Sequence, residues 1–189
     1  MTFARIGALA LFALAGGCSA QPDTPAAAPQ LTFHEVMKDQ IDVHADEVWE
    51  LTNPKLDDRA IIDPRLMSDQ EWAELASRAD AVQKAATEIA HMDPIVVAKP
   101  GVKISDEDIP YGHSAAHVQE AIDKRPQVLR DMAGVLAAHM GDLSKAARAH
   151  DPAKASPLID QLDGVCEDCH LEFWYPDQKA LVEKYRDHI

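Results

Sequence analysis

The chain has 189 residues, with 32 Asp and Glu against 18 Lys and Arg and a net charge of −14. So strong an acidic excess repels a phosphate backbone and excludes nucleic acid as a partner. At 47% hydrophobic residues the chain is long and apolar enough to bury one domain core of its own.

The first twenty residues, MTFARIGALALFALAGGCSA, hold one positive charge, Arg5, followed by an apolar run from Ile6 to Ala15. That run is too short to span a bilayer and has the basic and apolar regions of a secretory leader. Ala15, Gly16 and Gly17 directly precede Cys18, which resembles a bacterial lipobox with Cys18 as the acylated first residue. Leu14 stands one place further out than in the usual lipobox, and cleavage after Ala20 is the alternative. Ser19 favours the outer membrane by analogy with enterobacterial sorting. The expectation is a signal peptide over 1–17, a tether over 18–30 and one domain over 31–189. The tether sequence QPDTPAAAPQ is too poor in apolar bulk to pack and extends about 30 Å at about 3.1 Å per residue. Removing the leader takes away Arg5 alone, so the exported chain is one unit more acidic.

The domain reads as helical. In LTFHEV, Thr32 is placed to cap a first helix, with Glu35 completing a capping box and Leu31 and Val36 as the staple. MSDQEW repeats the device with Ser68, Glu71, Met67 and Trp72. The first helix carries an apolar stripe of Phe33, Met37, Ile41, Val48 and Leu51, with His44 on the same face. The second carries Trp72, Leu75, Val82 and Ile89, with small Ala79 and Ala86 between. Asp93 to Arg125 crosses to the next long helix and includes a short helix around SAAHVQEAI; PIVVAKPGVKI, the nearest approach to a strand pattern, is a loop because of its prolines. A third long helix starts with Pro126 at its first position and runs through Leu129, Met132, Leu136, His139 and Leu143. Gly141 inside it costs about 1 kcal/mol against Ala and marks a close approach. The fourth is expected to begin with Ser156 as cap and Pro157 first, and to carry Ile159, Leu162, Val165, Cys169 and Phe173 before Pro176 ends it. A last short helix follows Asp177. The pattern predicts an all-α, antiparallel four-helix bundle.

On the fourth helix stands VCEDCH, with Cys166, Cys169 and His170. A thioredoxin-type pair opens a helix after a strand, which this pair does not. Zinc needs a fourth ligand, for which His113 and His117, one turn apart, are the available histidines. A disulfide between Cys166 and Cys169 would close too tight a loop for a helix. Haem c needs nothing further: C-x-x-C-H attaches haem through two thioethers, with the adjacent imidazole on iron. Export agrees, because this attachment is made outside the cytoplasm. The reading is one covalent haem c near the C-terminal helix, held by Cys166 and Cys169, with His170 as proximal iron ligand.

With CEDCHLEF on the last helix and FHEVMKDQI on the first, residues 31–174 resemble the class II cytochromes c, that is, cytochrome c-prime and its low-spin, methionine-ligated relatives. The resemblance implies that Met37, followed by Lys38, is the sixth ligand, and that Ile41 falls where c-prime proteins place the apolar residue crowding the open haem face. By its place on the stripe alone, Met37 reads as a core methionine. His44, two turns along, is the main rival ligand; His34, Met92, Met132, His139 and Met140 are further candidates. Trp174 stands where the family usually has a basic residue, and the connections and tail are longer than the family's. With His/Met ligation the chain is a single-haem electron carrier at the periplasmic side rather than an enzyme, serving redox partner proteins and held to the membrane by its lipid. With an open sixth position it binds nitric oxide or another small gas, as c-prime proteins do. Homodimers are common in the family.

Overall fold

A computed structural model describes residues 30–186, so Cys18, the predicted signal peptide and most of the tether lie outside the described residues. The described chain is mostly helical, with six helices packed against one another and no strand. Helix α1 runs unbroken through an α-helical turn (Phe33–Val36), a π-helical stretch (Met37–Asp42) and a second α-helical part (Val43–Thr52). It is followed by α2 (Asp69–Ala90), α3 (Ala115–Lys124), α4 (Pro126–Arg148), α5 (Pro152–Cys169, continuing as a π-helical stretch over His170–Trp174) and α6 (Lys179–Arg186). None of the described helices is long and apolar enough to cross a membrane.

Both expected capping boxes form. Thr32 Oγ1 accepts from the Glu35 amide at 3.3 Å while Glu35 Oε2 accepts from the Thr32 amide at 2.8 Å, and Ser68 and Glu71 repeat the pair at 3.3 and 2.8 Å. The staples differ: Met67 and Trp72 are both buried, but Leu31 stays largely exposed beside buried Val36. Two further orphan donors at the start of α1, the amides of Phe33 and His34, bond the carbonyls of Val96 and Val97 at 2.8 and 2.9 Å. The long connection before α3 thereby becomes part of the end of α1. Gln119 on α3 pins the same strip, accepting from the Val97 amide at 2.8 Å and donating to the Ile95 carbonyl at 3.0 Å.

Neighbouring long helices run antiparallel. Along α2 and α4, Ser144 donates to Asp80 at 2.7 Å near one end, and Arg130 donates to the Met92 carbonyl at 3.0 Å at the other. Buried Ala76, Ala79, Ala85 and Ala86 let these two helices make the most extensive contact in the fold. Lys55–Glu71 at 2.7 Å and Arg78–Glu47 at 3.1 Å align α1 against α2, and His139 Nε2 meets the Leu158 carbonyl at 2.7 Å between α4 and α5.

One start is corrected. Helix α5 begins at Pro152, capped by Asp151, whose Oδ1 accepts from the Lys154 amide at 3.1 Å. Ser156 and Pro157 lie inside it. The N–H that Pro157 lacks would have bonded the carbonyl of Ala153, an exposed residue, so the missing bond falls on the solvent side of the helix. Buried Ser156 instead ties the α1–α2 connection to α5: its hydroxyl donates to the Pro152 carbonyl at 2.7 Å and accepts the Ile62 amide at 2.9 Å.

Candidate functional site

Cys166 and Cys169 occupy the last turn of α5, and His170 opens the π-helical stretch that follows. The wider pitch is fixed by the Tyr175 amide, which bonds the His170 carbonyl five residues back at 2.7 Å. Leu171, Phe173 and Trp174 turn inward and bury at 5, 1 and 9% exposure, anchoring the stretch. Met37 opens the other π-helical stretch, in α1. Among the described residues these are the only two π-helical stretches, and each begins with one of the two predicted iron ligands.

Three adjoining cavities meet between these stretches. The first lies between the ends of α1 and α5 and has a wall formed by Ser105 and Asp106 of the connecting loop. The second is a groove between α1, α5 and α6, lined also by Trp49, Asp46 and Asp163. The third, the smallest, reaches inward among Ile89, Leu129, Met132 and Leu136 and is almost wholly apolar. Met37 and His170 line all three; Cys169 lines the first and third, Cys166 the second and third. The structure therefore brings together the two thiols, the imidazole and the thioether that the sequence singled out.

Both thiols are unpaired. Burial pushes the Cys166 thiol up to about 11, helped by the Asp163 and Asp42 carboxylates, and the Cys169 thiol up to about 12, helped by Cys166 and Asp168. Redox-active pairs carry a lowered thiol, and neither cysteine is lowered here. Burial lowers the His170 imidazole below its ordinary value, opposed by Asp42, Asp163 and Asp106, which favours the neutral ring that can bind a metal. The ring stands edge-on to Tyr175, centroids 6.2 Å apart. Asp42, on the walls of the first two cavities, is raised by the protein crowded around it.

The donor types are those haem c would need: two thiols one turn apart, an imidazole beside them, and a thioether and an apolar recess lining the same space. Of the other sequence candidates, only Met132 and His34 reach these cavities. His44 bonds Glu47 at 2.7 Å, the carboxylate that also takes Arg78, and lines none of the three cavities. Met140 is fully buried and Met92 nearly so, both within the core, while Met132 reaches only the apolar recess. His34 reaches the first cavity, but its Nε2 accepts the Ser105 amide at 3.2 Å. His113 and His117 stack with centroids 4.1 Å apart, and no three His, Cys, Asp or Glu side chains among the described residues converge as a metal site. The contributions of Ser105, Asp106 and Tyr175 were not legible in sequence, because they depend on where a long loop crosses.

Compared with known proteins, the chain matches no family model, no curated protein and no solved structure.

Proposed function

We propose that this chain is a c-type cytochrome carrying electrons at the periplasmic side, within an antiparallel four-helix bundle formed by α1, α2, α4 and α5. Cys166 and Cys169 hold one haem through thioethers, His170 is the proximal ligand and Met37 the sixth. Cys18 carries the lipid that keeps the protein at the membrane. The carrying observation is that Met37 and His170, on separate helices, are the two residues lining all three cavities around the thiols.

Haem held there supplies a one-electron ferric–ferrous couple, and methionine raises its potential relative to two histidines. The chain's own part is to hold both ligands still. Met37 and His170 sit on packed helices whose neighbours Ile41 and Phe173 are buried at 2 and 1% exposure, so neither ligand needs to move with a change of charge. The apolar recess keeps water from the inner face.

The test is spectroscopic. The protein matured in a host that attaches haem c should retain it through denaturing electrophoresis. It should show low-spin iron in both oxidation states, with a methionine charge-transfer band when oxidised. Met37→Ala should give high-spin or water-ligated iron that binds carbon monoxide rapidly when reduced. Haem extracted by acidified organic solvent refutes attachment. Rapid carbon monoxide binding by the wild type refutes Met37 ligation and leaves an open, gas-binding face; an unchanged Met37→Ala spectrum moves the test to Met132 and His34, the other candidates that reach the cavities.

A further inference from the structure

The loop between α2 and α3 passes over the end of α1, and side chains from two other elements hold residues 105–106. Ser105 donates its amide to His34 Nε2 at 3.2 Å and accepts from Trp174 Nε1 at its carbonyl, 3.3 Å. Asp106 Oδ2 accepts from Tyr175 Oη at 2.7 Å. Asp106 has φ +62°, a left-handed conformation uncommon outside glycine though tolerated by aspartate. Gly112 folds back so near that a Cβ there would meet the Asp106 carbonyl oxygen at 1.7 Å. The turn is thus built to one shape and tied at several points.

Ser105 and Asp106 are solvent-exposed, yet both line the first cavity with Met37, Cys169 and His170. At these residues the loop forms part of the wall of that cavity. Of the ties, the one from Tyr175 has a neutral hydroxyl donating to a carboxylate, the stronger class of hydrogen bond. The same side chain packs its ring edge-on to His170.

We propose that Tyr175 is a positioning residue: it latches Asp106, and with it the loop, along the wall of the first cavity, and so limits how fast small uncharged molecules reach Met37 and His170 by that route. The ligand-entry half rests on the proposed function; the latch half does not.

Amide hydrogen exchange in the full chain tests the latch at Ser105, Ile109 and Gly112, whose N–H groups bond His34, Asp106 and Ile109. Tyr175→Phe keeps the ring and deletes the hydroxyl. It should speed exchange at these three amides roughly tenfold, the scale of one hydrogen bond to a charged group, and leave amides in α2 and α4 unchanged. Asp106→Asn keeps an acceptor oxygen and tolerates the backbone, so it should stay closer to wild type. Entry is read in reduced Met37→Ala protein, where adding Tyr175→Phe should raise the carbon monoxide association rate several-fold. Wild-type exchange in Tyr175→Phe overturns the latch, whatever cofactor is present. Faster exchange with an unchanged association rate overturns the gating role, and a chain that takes up no haem overturns the entry half together with the function.

Discussion

Replacing Gly141 by alanine is expected to leave the protein unharmed or slightly more stable, although Gly141 is buried in the most extensive helix pair of the fold. Two effects compete. An alanine in the interior of α4 removes a glycine penalty of about 1 kcal/mol. Against this, a Cβ at 141 would lie 2.5 Å from Gln83 Nε2 and 3.1 Å from Gln83 Cδ on α2, which is too close to stay. The obstacle is the far end of a flexible, half-buried side chain, not backbone, and the Gln83 amide makes no hydrogen bond to another described residue that must be broken. Gln83 can swing outward, so the clash offsets only part of the gain and the net change lies between about 0 and 1 kcal/mol in favour of alanine. In a domain of this size 1 kcal/mol corresponds to roughly 2–4 °C in melting temperature. Gly141→Ala alone and with Gln83→Ala, each melted by circular dichroism, should show the larger glycine-to-alanine gain in the Gln83→Ala background. A loss of more than about 1 kcal/mol in both backgrounds would show that backbone, not Gln83, sets the approach of α4 to α2.

Ser156→Ala should cost about 1–3 kcal/mol in urea unfolding, because the Ile62 amide loses its acceptor, whereas Asp151→Ala should cost about 1 kcal/mol as a lost cap; a harmless Ser156→Ala would contradict this assignment. Glu35 is held down to about 2 by its bond from Lys99, then by the bonds from Thr32. Its contribution to stability is therefore complete above its ordinary value of 4.5 and fades as pH falls toward about 2. An NMR titration should find that low midpoint, and Lys99→Ala should move it upward; a midpoint near 4.5 in the wild type removes the effect. Cys166→Ala and Cys169→Ala should each leave haem bound through the remaining thiol. The double variant should release haem to acidified organic solvent, and covalent haem surviving in it would disprove the assignment.

Much of the helical order was legible because it is written in local chemistry. Thr32, Ser68, Ser114 and Pro126 open helices for reasons confined to three or four neighbouring residues. The start of α5 was misread because Asp151–Pro152 and Ser156–Pro157 carry the same local signal, and only the exposure of Ala153 and the buried role of Ser156 separate them. For the site, the sequence supplied Cys166, Cys169, His170 and Met37 but not their surroundings. Phe33, Met37 and Ile41 fit a regular four-residue spacing, which concealed the wide turn between them. The latch of Tyr175 on Asp106 joins residues 69 apart and has no local signature.

The wide turn in α1 acts as a phase shifter. Apart from His34, its buried positions run Phe33, Val36, Ile41, Ala45, Val48 and Thr52, with steps of three or four except for one step of five. An ordinary helix advances about 100° per residue, so the extra residue lets two stripes of different phase face one interior. Deleting one residue from the turn would change the step of five into a step of four, which an ordinary helix keeps on one face, so the wide turn would close to regular α-helix with both stripes still facing the interior. What the segment would lose is the bulge itself, which Met37 opens.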